Sequence, residues 1–220
     1  MGYSRAVRSY GQYCSVAKAL DIIGDRWTLL IVRELLVQGP CRYTDLRNGL
    51  PGVASNLLSS RLKEMEASGL VVKQNAPAPV ATTLFSLSER GRDLEPVLTA
   101  IGTWGLPMMT SPKSDDVFRS QWFTFVVTNY LHDRLEHEPA LDIELRATSD
   151  AVHIHVEHGS VVLCRGSAED PTLTLSGEPS LMMGLLTNQL SLDDARALGL
   201  DISGDTNALK RITAGDDEAD

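Results

Sequence analysis

A row of short polar side chains lies along residues 55–63, beside a long cation. Ser55, Asn56, Ser59 and Ser60 carry hydroxyl and amide groups, and Lys63 carries an ammonium. Hydroxyl and amide groups can hydrogen-bond base edges in the major groove, and an ammonium can bind phosphate or guanine. The chemistry that these residue types indicate is therefore recognition of a surface such as duplex DNA.

An amphipathic helix over about residues 55–67 is predicted to carry this row. Leu58, Leu62 and Met65 recur at helical spacing, and at about 100° per residue Leu62 and Met65 lie within about 40° of Leu58. Asn56 and Lys63 then fall near the opposite side of the helix. An ordinary solvated helix face has the same pattern, so this helix alone does not distinguish DNA binding from solvation.

The elements around this helix favour DNA binding. A short helix in "YTDLRNGLPG" precedes it and is closed by Pro51-Gly52, which gives the spacing of a helix-turn-helix. Two β-rich runs around a proline-rich tip follow it, in "LVVKQNAPAPVATTLFSLSERG", and predict the hairpin wing of a winged helix. A final helix is predicted over residues 89–104. Combined with the local positive charge, this arrangement predicts a DNA-binding unit.

Charge divides the chain into two unlike halves. Residues 1–105 contain 12 Lys and Arg against 9 Asp and Glu, a net +3. Residues 106–220 contain 8 against 20, a net −12, which accounts for the overall −9. The prolines and serines of "GLPMMTSPKSDD" interrupt the periodic pattern between the halves. We predict a DNA-binding and dimerisation domain over 1–105, a linker over 106–116, a second domain over 117–213 and an acidic disordered tail over 214–220.

The first half resembles the HxlR-type winged-helix transcriptional regulators along almost all of residues 13–105. The matching features include the Ile-Gly-x-x-Trp-Thr of 23–28, Arg42-Tyr43, Leu62-Lys63-Glu64 and Leu87-Ser88-Glu89. The resemblance implies a homodimer on a pseudo-palindromic double-stranded DNA operator, with dimerisation through terminal helices. The predicted DNA-binding residues are Arg42, Arg47, Ser55, Asn56, Ser59, Ser60, Arg61, Lys63 and Lys73. The wing tip over 74–83 has no cation, so affinity is expected to depend more on the other basic residues than on the wing.

Cys14 has two interpretations. Some HxlR-type relatives use a cysteine at this place as a redox sensor, whereas Lys18 is the main neighbour here that could lower the thiol pKa. A packed structural thiol is the favoured interpretation. The three cysteines are odd in number and widely spaced, which argues against a disulfide framework and a structural zinc site.

The second half predicts an α+β domain. An amphipathic helix over 116–135 precedes strands that alternate at period two, and an apolar helix follows near residues 181–186. The motifs "DPTLTLSGEP", "LMMGLLTNQLSLDDARALG" and "LDISGDTNALKRI" resemble the sterol-carrier-protein-like fold, which implies a tunnel for a hydrophobic small molecule. The predicted ligand pocket contains Trp122, Phe125, Leu173, Leu175, Leu181, Met182, Leu185 and Leu186. The alternative is that these side chains simply fill a core.

No catalytic residues, cofactor or metal are predicted. "HIHVEH" is interpreted as a strand face rather than a metal site, and no nucleophile–base set or phosphate-binding loop is present in the sequence. No apolar run approaches the ~20 residues of a membrane span, and we expect a cytoplasmic protein without a membrane partner. The favoured hypothesis is a non-enzymatic regulator whose DNA binding responds to a hydrophobic effector. The alternative is a lipid carrier or enzyme accessory protein whose winged helix mediates protein contacts.

Overall fold

A computed structural model describes residues 9–76, 82–109, 116–147 and 151–213. Residues 77–81 of the wing tip, 110–115 of the predicted linker and the predicted tail 214–220 lie outside these ranges. The chain divides into two compact units, Met1–Ala100 and Ile101–Asp220.

The first unit is a winged helix, as the sequence predicts. Its helices are α1 (Ser15–Ile23), α2 (Thr28–Gln38), α3 (Tyr43–Asn48), α4 (Ser55–Ala67), α5 (Glu89–Arg92) and the start of α6 (Glu95–Gly105). Its strands are β1 (Cys41–Arg42), β2 (Val71–Asn75) and β3 (Thr83–Leu87), in the antiparallel order β1-β3-β2. The hairpin β2–β3 follows α4 directly and forms the wing.

Buried apolar side chains fix the orientation of α4. Leu58, Leu62 and Met65 are buried on one side of this helix, at the predicted spacing. Ile31 of α2 and Leu46 of α3 are also fully buried. Burying a side chain of this size contributes about 1.5–3 kcal/mol, so this stripe determines which face of α4 remains in solvent.

The closing helix of this unit is not continuous, which corrects the prediction over 89–104. α5 ends at Arg92 and α6 begins at Glu95. Pro96 has no N–H and would clash with the carbonyl four residues earlier, so it is tolerated only in the first turn of a new helix. Ser88 caps α5 by accepting a hydrogen bond from the Gly91 N–H at 3.0 Å.

The second unit is an α+β structure around one five-stranded sheet. Its strands are β4 (Leu141–Arg146), β5 (Val152–Glu157), β6 (Ser160–Arg165), β7 (Leu173–Ser176) and β8 (Asp201–Gly204). Its helices are α7 (Phe123–Tyr130), α8 (Pro179–Leu186), α9 (Leu192–Ala197) and α10 (Asn207–Ile212). The strand order is β6-β5-β4-β7-β8, and β4 and β7 are the parallel pair.

Period-two alternation gives this sheet one apolar face. Ile143, Leu145, Ile154, Leu173 and Leu175 are all fully buried and belong to a single core cluster that also includes side chains of the helices. The alternate residues of β4 and β5 carry carboxylates and imidazoles on the other face.

The predicted helix over 116–135 is much shorter in the structure. A 3-10 turn over Ser120–Trp122 leads into α7, which ends at Tyr130. The Asp133 carboxylate accepts hydrogen bonds from the backbone N–H groups of Leu135 and Gly159, at 3.0 Å each, and binds Arg211. The bond to Leu135 satisfies a local backbone donor, which competes with helix formation and accounts for the early end of α7.

No helix among the described residues is long and apolar enough to cross a membrane.

Candidate nucleic-acid interface

The turn between α3 and α4 presents the start of α4 to solvent. Gly49 ends α3, Leu50 is buried beneath the turn, and Gly52 adopts a φ of 82°, which a glycine tolerates without strain. α4 then begins at Ser55 after the extended residue Ala54. The buried leucine and the two glycines therefore define where the exposed, polar side of α4 begins.

A buried carboxylate supports this turn. Glu34 of α2 is 0% exposed, and its Oε2 accepts a hydrogen bond from Gln38 Nε2 at 2.8 Å. Arg33 Nη2 lies 2.8 Å from its Oε1. A Cβ added at Gly49 would lie 2.1 Å from Glu34 Oε2, so any side chain at this position would displace the carboxylate. Sequence reasoning missed this contact, because neither residue carries a local signal for it.

The structure places most of the predicted DNA-binding residues on one exposed surface. This surface contains Ser55, Asn56, Ser59, Ser60 and Lys63 of α4, together with Arg42 and Arg47 at the two ends of α3. All seven are exposed, and Lys63 makes no ion pair with any described residue. We call this set the polar face. Its short side chains allow close approach to a groove floor, and its cations can neutralise phosphates.

Hydrogen bonds connect the two helices at the polar face. Tyr43 Oη donates to the Ser55 carbonyl oxygen at 2.8 Å, and Ser59 Oγ lies 3.2 Å from Tyr43 Oη. Arg47 Nη1 donates to Ser55 Oγ at 3.4 Å. The sequence indicated Tyr43 only as a motif position, because its partners lie 12 and 16 residues away.

Two predicted cations are committed to carboxylates. Arg61 is paired with Asp25 and Glu64, and its side chain is only 15% exposed. Lys73 is paired with Glu66 and lies 5.8 Å from the centre of the Phe85 ring. Both residues remain predicted contacts, but a phosphate would have to compete with these carboxylates. The cations of the polar face have fewer such competitors.

Cys14 is exposed, so the expectation of a packed structural thiol is wrong. Cys14 precedes the first residue of α1, where the backbone N–H groups of Ala17 and Val16 lower the pKa of the thiol. Backbone donors at a helix N-terminus stabilise a thiolate in this way. Cys41, by contrast, is buried.

The predicted pocket residues of the second unit are mostly core residues. Leu173, Leu175, Met182, Leu185 and Leu186 are all buried in the core cluster. The other three predicted members, Leu181, Trp122 and Phe125, are only partly buried. The pocket remains a prediction.

The histidines of β5 interact with neighbouring side chains and backbone on the side of the five-stranded sheet opposite its apolar core. His155 Nδ1 lies 2.8 Å from Asp142 Oδ1, a contact that raises the pKa of His155. His153 Nδ1 lies 2.9 Å from the Gly166 carbonyl oxygen. Within the described ranges, no group of three or more His, Cys, Asp or Glu side chains is placed to hold a metal ion.

Residues 22–112 match the HxlR-like helix-turn-helix family. The HTH-type transcriptional regulator YvaP of Bacillus subtilis is 38% identical over 87 residues, which cover 40% of this chain and 80% of YvaP. The HTH-type transcriptional regulator YodB of the same organism is 30% identical over 86 residues, covering 39% of this chain and 76% of YodB. Among solved structures, the oxidised form of the redox regulator HypR is 29% identical, covers 47% of this chain and 100% of HypR, and has a TM-score of 0.40.

Proposed function

This chain belongs to the HxlR-like helix-turn-helix family, and on that premise we propose that it is a transcriptional regulator whose first unit binds duplex DNA. The polar face of α4 is the observation that carries the proposal. It combines Asn56, three serines and Lys63 on the solvent side of a helix whose other side is buried. A helix of this composition at the second position of a helix-turn-helix fits the major groove.

Within this proposal, Asn56 and Lys63 have different tasks. Asn56 lies in the first turn of α4, where helix-turn-helix proteins contact base edges. Lys63 is two turns further along, and its flexible ammonium suits a phosphate. The two residues therefore allow a test that separates base reading from charge neutralisation.

We expect Asn56→Ala to relax the preference at one base position by about 1–3 kcal/mol, the range of a good bidentate base contact. Lys63→Ala should weaken binding to all sequences alike and reduce the slope of log affinity against log salt by about one. Sites would be selected from a random duplex library with the full-length protein, and affinities measured by fluorescence anisotropy at several salt concentrations.

Lys210→Ala is the matched control, because Lys210 is an exposed lysine of α10 in the second unit. It should leave both the base preference and the salt slope unchanged. If wild-type protein selected no sequence at all, the proposal would fail and the carrier hypothesis would gain support. If both α4 variants bound like wild type, the assignment of the polar face would be wrong.

We further propose that the active species is a homodimer on a pseudo-palindromic operator. An apolar stripe on α6 and the turn after it supports this assembly: Val97, Ile101, Trp104 and Met108 recur at helical spacing and are 39%, 46%, 72% and 63% exposed. Near α1, Tyr13, Val16 and Leu20 are also exposed at such spacing. Repeated large apolar side chains on the outside of terminal helices fit a self-complementary interface.

The second unit is proposed to bind a hydrophobic small molecule that modulates DNA binding. The proposal rests on the resemblance of its sequence to sterol-carrier-like proteins. The strand order β6-β5-β4-β7-β8 and the apolar helix α8, with Met182 and Met183 buried in the core cluster, support a domain of that kind. Methionine side chains repack readily around a ligand. An effector can change operator affinity only through different affinities for the DNA-binding and non-binding forms.

We expect the full-length protein to bind cis-parinaric acid saturably, and Leu181→Gln to weaken this binding severalfold. Leu181 is a partly buried member of the predicted pocket, so a polar amide there should disfavour an apolar ligand while leaving the fold intact. Probe fluorescence would be titrated, with circular dichroism to confirm folding. Leu192→Gln is the matched control, since Leu192 packs against the same core from α9 but lies outside the predicted pocket. If Leu181→Gln and Leu192→Gln bound cis-parinaric acid equally well, the ligand would have to bind outside the predicted pocket.

A further inference from the structure

The hydroxyl of Tyr43 has only one proton, and the structure shows where that proton goes. Tyr43 Oη lies 2.8 Å from the carbonyl oxygen of Ser55, which can only accept a hydrogen bond. Tyr43 must therefore be the donor in this contact. The second contact of the same oxygen, with Ser59 Oγ at 3.2 Å, must then have Ser59 as the donor.

These two hydrogen bonds determine whether the Ser59 hydroxyl acts as a donor or as an acceptor. A serine hydroxyl also has a single proton, and here that proton is directed to Tyr43. Ser59 is nevertheless exposed on the polar face. The lone pairs on its oxygen can therefore only accept hydrogen bonds from a molecule outside.

Ser55, in the turn before Ser59, has the opposite role: its hydroxyl can donate a hydrogen bond to a molecule outside. Its Oγ accepts a hydrogen bond from Arg47 Nη1 at 3.4 Å, so its own proton remains available to an outside acceptor. Phosphate oxygens are acceptors and suit this donor. The two serines look alike in the sequence, but Arg47 and Tyr43 give them complementary properties.

The major groove presents both donors and acceptors. Cytosine N4 and adenine N6 are amino donors, whereas guanine O6 and N7 and thymine O4 are acceptors. An oxygen that can only accept gains a hydrogen bond from the amino groups of cytosine and adenine. It is repelled by the acceptor atoms of guanine and thymine. Phosphate oxygens would repel it as well.

Resting on the proposed DNA-binding function, we propose that Tyr43 is a positioning residue that makes Ser59 select cytosine or adenine at one operator position. Tyr43 itself need not touch the DNA. It acts by holding the proton of Ser59 away from the groove and by joining α3 to the first turn of α4.

The test uses full-length wild type, Tyr43→Phe, Ser59→Ala and the double variant, each in a selection from a random duplex library. Wild type should prefer cytosine or adenine at one position by about two- to tenfold, the range of one neutral hydrogen bond. In Tyr43→Phe the Ser59 hydroxyl can donate outward. The ratio of affinity for cytosine or adenine to affinity for guanine or thymine at this position should therefore fall to near one, through gained affinity for guanine and thymine. Ser59→Ala should lose the preference through reduced affinity for cytosine and adenine.

In the double variant, Tyr43→Phe should have no further effect on this position, since the hydroxyl that it controls is gone. The salt slope should be the same in all four proteins. An even loss of preference at every position in Tyr43→Phe would mean that Tyr43 is merely structural, and an unchanged selection would overturn the proposal. Failure of wild type to select any sequence would instead count against the DNA-binding function itself.

Discussion

Replacing Arg211 with methionine is expected to lower the free energy of unfolding of the second unit by about 3–5 kcal/mol, the cost of removing one partner of a buried ion pair. Arg211 Nε and Nη2 donate to the two carboxylate oxygens of Asp133 at 2.8 and 3.0 Å. The two side chains are only 5% and 0% exposed. The variant would leave Asp133 buried without its cation, and the carbonyl oxygen of Pro139 would lose the donor Arg211 Nη1.

Hydrogen-exchange mass spectrometry on peptides from β4 and β5 would measure this loss, because their slowest amides exchange by unfolding of the unit. Arg196→Met is the control. Arg196 is 48% exposed and lies 3.8 Å from Asp193, which is 95% exposed, so its replacement should change stability by less than about 1 kcal/mol. Equal protection in Arg211→Met and wild type would contradict the structural role of the pair.

The pH dependence of this loss has a defined sign. Hydrogen bonds from Arg211 hold the pKa of Asp133 well below its ordinary value. A carboxylate with a depressed pKa in the folded state stabilises the fold above its unfolded pKa of about 4, and this contribution is lost as the pH falls through the folded pKa. The stability difference between wild type and Arg211→Met should therefore be largest near neutral pH and should shrink in acid below about pH 4.

The double variant Ile101→Lys/Trp104→Lys is expected to lose operator affinity by about 10²–10⁴-fold, because it would divide the proposed homodimer and a monomer loses the gain of two linked half-site contacts. Both positions belong to the exposed apolar stripe of α6. Two lysines per chain would meet their symmetry mates across a twofold interface and repel them. Lysine adds no repulsion towards DNA, so reduced binding would reflect lost dimerisation. Analytical ultracentrifugation would report the oligomeric state, and anisotropy would report affinity for a full operator and for a single half-site.

Val162→Lys/Leu198→Lys is the matched control for this experiment. Val162 and Leu198 are 45% and 62% exposed, close to the 46% and 72% of the tested pair, and the added charge is the same. The control should remain dimeric and bind the full operator like wild type. A tested variant that stayed dimeric would place the interface elsewhere, for example on the exposed side chains near α1.

Helix and strand periodicity made much of the architecture predictable from the sequence. Leu58, Leu62 and Met65 are buried at the predicted helical spacing of α4, and the predicted wing follows as β2 and β3. Period-two alternation predicted the strands of the second unit. The errors lay at helix ends: Pro96 divides the closing helix, and the side-chain bonds of Asp133 replace the predicted continuation of α7.

The sequence by itself determined which face of each element is apolar, because that information repeats every two to four residues and acts locally. Only the tertiary structure decided which polar groups are free to act. Asp25 pairs with Arg61, Tyr43 Oη accepts a hydrogen bond from Ser59, and Arg211 binds Asp133 across 78 residues of chain. A polar side chain can bind any complementary group within about 3 Å, so its partner depends on how the whole chain packs. For this reason two cations of the predicted DNA-binding set, Arg61 and Lys73, are paired with carboxylates, and two similar serines have opposite hydrogen-bonding roles.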